Sequence, residues 1–177
     1  IARDELGVAI DTNQFFGVED FVKAYDANGI NAPIGCDFLH RESEITEICA
    51  SILNNKVTIL TGPSGIGKTR LSLEVCRQQD NGKTKVFCVK SNGNLLYEDI
   101  KYYISDPGRY LLFFDDANMV VSLDNVFDTI LTLPIEFDVK ILISVRDYAK
   151  ERVIDAASKY ALPSIIEIGC FKDEEIK

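Results

Sequence analysis

Eight consecutive residues, Gly62-Pro63-Ser64-Gly65-Ile66-Gly67-Lys68-Thr69, concentrate more usable chemistry than any other stretch of the chain. Glycine at 62, 65 and 67 permits positive φ, so successive N–H groups can curl inward and cradle an anion. Lys68 adds a mobile point charge with the reach for outer phosphate groups. Thr69 adds a hydroxyl, a hard oxygen suited to Mg²⁺. The spacing fits G-x-x-x-x-G-K-[ST] at every fixed position, the pattern of a nucleoside-triphosphate loop. The expected binding segment is Gly62, Pro63, Ser64, Gly65, Ile66, Gly67, Lys68, Thr69 and Arg70. The competing reading is a glycine-rich turn that contains Lys-Thr by accident. At ordinary residue frequencies a chance match somewhere in such a chain is on the order of one in a hundred, which favours the phosphate loop.

A second group of residues supplies acid. The apolar run Tyr110-Leu111-Leu112-Phe113-Phe114 ends in Asp115-Asp116. A carboxylate at that point suits the second protein contact of the Mg²⁺, made through water because the ion keeps several waters. Asp115 is the expected metal partner, and Asp116 is placed to polarise an attacking water as general base. The alternative is that two aspartates cap a buried strand, with the second acid structural. A third group follows Ile141-Leu142-Ile143, namely Ser144-Val145-Arg146-Asp147. Polar groups at the carboxyl end of such a strand face the ligand crevice of an open α/β sheet. Arg146 there is either a contact to the γ-phosphate or a surface arginine that opens the next helix.

The elements that must hold these groups are legible from periodicity. Apolar runs at Val57–Leu60, Val86–Val89, Leu111–Phe114, Ile141–Val145 and Ile165–Ile168 read as buried strands. Helical spacing appears in Ile45, Ile48, Cys49, Ile52 and Leu53, and again at Leu71–Gln78, Leu95–Ile104, Leu123–Leu133 and Tyr148–Ser158. Short strands alternating with helices imply an α/β fold: a mainly parallel five-stranded sheet with helices on both faces. Residues 1–37 differ, holding one amphipathic stretch, Val18–Ala27, closed by Asn28-Gly29, then a loop with Pro33 and Gly35. They read as a linker or small subelement before a core domain over 38–177. Phe15, Phe16 and Phe21 read as packing for that segment, with an adenine or partner pocket as the alternative. Tyr97, Tyr102 and Tyr103 read as a half-buried helix face. The ends of the sequence, Ile1 and a final acidic helix start, suggest a piece of a longer protein.

Composition closes off other classes. The chain has 177 residues, and a net charge of −9 argues against a general nucleic-acid surface. Five cysteines, at 36, 49, 76, 88 and 170, form no Cys-x-x-Cys pair, and His40 is the only histidine, which argues against a zinc site. Their odd number and wide spacing fit reduced thiols, and hence a cytoplasmic location. No apolar run approaches the roughly 20 residues of a membrane helix.

Taken in order, Phe38-Leu39-His40-Arg41-Glu42, the loop Gly62 to Thr69, the strand Leu111 to Asp116 and Ser144-Val145-Arg146 resemble the STAND class of ATPases, signalling switches related to AAA+ proteins. His40 stands where the family's opening motif has glycine. Ile165-Ile166-Glu167-Ile168 and Phe171-Lys172-Asp173-Glu174-Glu175 are similar to the strand and helix start that close the family's core. The resemblance covers roughly residues 38 to 177 and implies a P-loop NTPase three-layer α/β/α sandwich with strand order 5-1-4-3-2. It implies ATP/ADP and Mg²⁺ as ligands, Arg146 as a γ-phosphate sensor, and Arg41 against the adenine. Arg41 otherwise reads as a first-turn residue that pairs with Glu44 or Glu47. The implied function is slow ATP hydrolysis that switches a signalling or defence protein. The piece alone would be monomeric, with nucleotide state controlling homo-oligomerisation of the full-length protein. The competing functions are a P-loop small-molecule kinase and a pseudo-enzyme that only binds nucleotide. No direct nucleic-acid or membrane contact is expected of this domain.

Overall fold

The computed structural model describes residues 12–27 and 41–169. In chain order the elements are β1 (Phe15–Phe16), α1 (Val18–Asp26), α2 (Glu42–Asn54), β2 (Val57–Thr61), α3 (Lys68–Gln79), β3 (Thr84–Lys90), α4 (Tyr97–Tyr103), β4 (Gly108–Asp115), α5 (Leu123–Leu131), β5 (Phe137–Ser144), α6 (Lys150–Ser158) and β6 (Ser164–Glu167). Short 3₁₀ turns at Ala117–Met119 and Asp147–Ala149 follow β4 and β5.

The sheet runs β1-β3-β4-β5-β2-β6. Its five longer strands are parallel and keep the expected order, with β5 between β2 and β4. The sheet has six strands rather than five, because Phe15 and Phe16 pair antiparallel with Val89 and Cys88 on the outer edge of β3. Two residues carry no readable period, so this strand left no sequence signal. Burial fixes it instead. Phe15 stacks on Tyr103 with ring centroids 4.9 Å apart, and β1 covers an edge that would otherwise offer unpaired backbone groups.

Each strand interior is apolar on both faces because helices cover both. Along β4, Leu111 and Phe113 point to one side, with Phe21 of α1, Ile48 of α2, and Leu71 and Val75 of α3. Tyr110, Leu112 and Phe114 point to the other, with Ile100 of α4, Phe127 of α5 and Val153 of α6. Burying each large apolar side chain contributes about 1.5–3 kcal/mol, so these two layers hold the strand ends in fixed register. A buried polar pair inside this frame, Ser51 and Thr58, is mutually satisfied at 2.8 Å between hydroxyls.

Residues 12–27, from the stretch expected as a linker or subelement, are tied into this frame. Gln14 is fully buried; its amide donates to the Asn94 carbonyl (3.4 Å) and accepts from the Asn92 N–H (3.1 Å). The Thr12 hydroxyl donates to the buried carboxylate of Asp99. The expected Val18–Ala27 helix is α1, and Phe15 and Phe21 are buried as packing residues. Asn28-Gly29, Pro33, Gly35, the Phe38-Leu39-His40 part of the opening motif, Cys36, Cys170 and Phe171 to Glu175 lie outside the described residues. Among the described cysteines, Cys76 and Cys88 are buried, Cys49 is half-buried, and all three are free thiols. Among the described residues no helix is long and apolar enough to cross a membrane.

Candidate functional site

The carboxyl ends of β2, β4 and β5 lie side by side, so the three motifs that are far apart in sequence converge. After Thr61 the chain turns through Gly62 (φ +141°), Gly65 (φ +78°) and Gly67 (φ +95°) before α3 begins at Lys68. The turn therefore uses positive φ at each glycine whose freedom the motif requires. The first turn of α3 turns its N–H groups and positive dipole end toward the same place. Pro63, Ser64 and Gly65 are exposed, as an open cradle requires, while Ile66 is half-buried and anchors the loop against the core.

Lys68 is buried and folds back over the loop. Its Nζ donates to the carbonyl oxygens of Gly62 (2.6 Å) and Pro63 (2.8 Å). Burial lowers its pKa, against the pull of Asp147, Asp116 and Asp115. The carboxylate of Asp147 accepts the Gly62 N–H at 2.9 Å, which ties the start of the loop to the turn after β5.

The acids are joined to the loop by a continuous hydrogen-bond chain. The Thr69 hydroxyl donates to Asp115 Oδ1 at 2.8 Å, and the Ser144 hydroxyl donates to the same oxygen at 2.9 Å. Ser144 Oγ in turn accepts the Asp116 N–H at 2.9 Å. Asp115 is buried, and desolvation raises its pKa while Thr69 and Ser144 lower it. Asp116 sits in the left-handed region (φ +46°), a conformation that costs an ordinary residue roughly 1–2 kcal/mol. That turn aims its carboxylate outward, where Arg146 meets it at 2.9 and 3.4 Å. The Asp116 contact raises the guanidinium's pKa further. Both side chains remain partly exposed, so this pair is accessible to a ligand.

Thr69 and Asp115 fit a hard divalent cation. They place one hydroxyl and one carboxylate oxygen 2.8 Å apart at the mouth of an anion cradle. Among the described residues no group of three or more His, Cys, Asp or Glu side chains forms an all-protein metal cage. That is the donor set of an ion that shares its shell with phosphates and water.

The structure gathers Gly62 to Thr69, Asp115, Asp116 and Arg146 at one place. Arg70 is on the first turn of α3, half-buried. Arg41 is set apart from them. It is buried at the start of α2, donates from Nη2 to the Gly169 carbonyl at 3.2 Å, and lies 3.7 Å from Glu44. Its link to the loop is indirect, since Ile168, next to Gly169, hydrogen-bonds Thr61 at 2.8 Å.

Three residues at the site went unread in the sequence. Asp147 braces the loop as described. Lys90 ends β3 directly beside Asp115 in the parallel register. Tyr25, on α1, lies with its ring centroid 4.9 Å from Lys90 Nζ, and burial raises its phenol pKa, with Asp115 and Asp116 adding to it. The signal for Lys90 was its position: a lone charge that ends an apolar strand, as Asp115 does.

No protein-family model matches the chain, and no curated protein matches it. Solved structures do. The ORC1 protein of Aeropyrum pernix, solved in complex with DNA, matches with a TM-score of 0.60 at 14% identity over 94% of this chain and 52% of that one. The RuvB Holliday-junction branch-migration motor of Thermotoga maritima matches with a TM-score of 0.52 at 15% identity over 77% and 48%. A Walker-type ATPase of Pyrococcus abyssi matches with a TM-score of 0.53 at 12% identity over 78% and 56%. The chain therefore shares the fold of these proteins, a three-layer α/β/α sandwich around a mostly parallel sheet. The chain spans about half the length of the structures it matches.

Proposed function

We propose that this chain binds Mg-ATP in the loop Gly62 to Thr69 and hydrolyses it slowly, as the switch domain of a STAND-type signalling or defence protein. The observation that carries this reading is the single hydrogen-bond chain from Thr69 through Asp115 and Ser144 to Asp116, with Arg146 closing it. It joins the residue types that phosphoryl transfer needs, and joins them at the loop.

Bound at Thr69 and Asp115, Mg²⁺ would neutralise charge on the phosphate oxygens. The loop's N–H groups and Lys68 hold the phosphates. For that, Lys68 releases the Gly62 and Pro63 carbonyls, to which it is hydrogen-bonded now. Asp116 accepts a proton from the attacking water. It can do so only when Arg146 leaves its carboxylate, and a γ-phosphate is the competing anion that draws Arg146 away. The pair thus couples the presence of the third phosphate to the release of the base. Arg41, held at the end of β6, lies on the side proposed for the adenine. In this reading ADP holds a resting state, ATP permits assembly of the full-length protein, and hydrolysis resets it.

The test is a single-turnover assay beside a size measurement of the full-length protein in ADP and in ATP. Phosphate release to water and a larger species in ATP support the switch. Transfer of the γ-phosphate to a small acceptor points to a kinase, and neither outcome to a domain that only binds nucleotide.

A further inference from the structure

The sheet has a second polar end, opposite the nucleotide loop, where its strands begin. On the face covered by α2 and α3, parallel register aligns Thr84, Arg109 and Asp138 across the starts of β3, β4 and β5. Two residues further along each strand, Val86, Leu111 and Lys140 form the next row on that face. The helices stop near this edge, with Ile52 in the last turn of α2 and Gln79 ending α3. Between the helix ends and the two rows lies a cleft of about 380 Å³, within the roughly 300–1,000 Å³ of small-molecule sites. Ile52 and Leu111 give it an apolar floor, and Lys83, Arg109 and Lys140 line it with positive charge. Its lining holds a single carboxylate, Asp138, and Lys56 pairs with that at 3.1 Å. Among the described residues no carboxylate comes within ion-pair distance of Lys83, Arg109 or Lys140. Lys140 donates to the Leu53 and Asn55 carbonyls at 3.3 and 3.2 Å, which fixes its ammonium at the end of α2 without cancelling its charge. Arg109 has no such structural task, since its side chain hydrogen-bonds no described residue. In a chain where acids outnumber Lys and Arg by 28 to 19, three uncompensated cations around one concavity run against composition. A cleft lined by one sign of charge concentrates the field and draws an anion.

We propose that this cleft is a second ligand site, which takes a small phosphate monoester: the phosphate among Arg109, Lys83 and Lys140, and an apolar body against Ile52 and Leu111. Arg109 supplies the planar fork that suits phosphate oxygens, and the two ammonium groups match a dianion. Thr84, in the same row as Arg109, adds a hydroxyl donor. The site lies where β4 and β5 begin, whereas Asp115 and Ser144 lie where those strands end. It is therefore distinct from the loop Gly62 to Thr69, and it stands whether or not that loop hydrolyses ATP.

The experiment is a residue-resolved NMR titration of the chain with phenyl phosphate, with benzoate and benzyl alcohol as comparisons. Phenyl phosphate should shift the amides of Lys83, Thr84, Arg109 and Lys140 along one saturable curve. Benzoate should bind there more weakly, and benzyl alcohol should not bind. Arg109→Gln should weaken that binding roughly 2–12-fold, the loss of one exposed hydrogen-bonding contact, and Lys83→Gln should weaken it as well. Both side chains are exposed, so neither variant should lower the melting temperature. Lys23→Gln, on α1 and outside the cleft, should bind as the wild type does. Shifts confined to Gly62 to Thr69 would overturn the assignment, as would shifts spread over surface lysines that never saturate. Unchanged binding in Arg109→Gln, or a loss there matched by a fall in melting temperature, would also overturn it. Equal binding of benzoate would overturn the choice of phosphate.

Discussion

Gly62 and the other two loop glycines serve different ends, and alanine should tell them apart. A Cβ built on Gly62 meets the carbonyl oxygen of Ile168 at 2.5 Å, whereas Cβ atoms at Gly65 and Gly67 meet nothing within 4 Å. The Ile168 backbone cannot move aside freely, because its N–H is bonded to the Thr61 carbonyl at 2.8 Å. Gly62→Ala therefore combines a φ of +141° with an overlap against fixed backbone. Strain of that kind costs about 1–3 kcal/mol, and overpacking about 1–3 kcal/mol more. The sum is about 2–6 kcal/mol, or a melting temperature lower by about 4–24 °C at roughly 2–4 °C per kcal/mol. Gly65→Ala and Gly67→Ala carry only the left-handed cost, roughly 1–2 kcal/mol each, and a fall of about 2–8 °C. Their methyl groups meet no protein atom, but the left-handed turns they strain are the ones that shape the anion cradle. The assay is thermal melting without nucleotide, followed by nucleotide titration of each variant. Gly62→Ala should be the least stable of the three, and the other two should lose affinity out of proportion to stability. A Gly62→Ala protein that melts no lower than Gly65→Ala would refute the close approach to Ile168.

Other outcomes follow from the same geometry. Lys68→Ala should weaken ATP binding roughly 12- to 140-fold by titration calorimetry, the loss of one charge-assisted contact of about 1.5–3 kcal/mol; unchanged affinity would mean the loop is not the main site. Burial lowers the Lys68 pKa in the free protein, and phosphate favours its charged form. Affinity should hold below that lowered pKa and fall as pH rises through it, sooner than for an ordinary lysine, with proton uptake visible when binding heats are compared across buffers. Asp116→Asn should keep Mg-nucleotide binding and slow phosphate release, while Asp115→Asn should remove the Mg²⁺ dependence of binding; normal turnover in Asp116→Asn would return that residue to a structural role. At a hundredfold excess over Kd, Mg-ATP should stabilise the chain by about 2.7 kcal/mol. The melting rise should be about 5–11 °C, with turnover well under the median enzyme value of about 10 s⁻¹.

What was legible in the sequence is what depends on local chemistry or on long periodic runs. The loop was legible because its glycines, lysine and threonine act within eight residues. The parallel strands were legible because their middles are buried on both faces, most fully in β2, β4 and β5, which makes the runs continuously apolar. Strand β1 was not, since two phenylalanines say nothing about the partner strand that orients them. Lys90 and Tyr25 were missed for a related reason. The place of Lys90 beside Asp115, and of the Tyr25 ring against Lys90, is set by which strands are neighbours and by how α1 lies across them, not by any spacing along the chain. Asp147 lay inside a motif already singled out, but its role is to hold a backbone N–H 85 residues earlier, a partnership that only the fold creates.

The placement of β2 has a consequence for the order in which this protein can become functional. The phosphate-loop strand is the first of the parallel strands to be made, yet its two neighbours, β5 and β6, are the last. Its loop is braced by Asp147 and packed against Ile168, both more than eighty residues downstream. Contacts of such sequence separation form slowly, because a long loop must close before they repay its entropy. During synthesis the chain therefore carries an intact nucleotide motif long before it has a nucleotide site. The cradle takes shape only once β5 and β6 have docked on β2, so competence to bind waits on the last of the described strands.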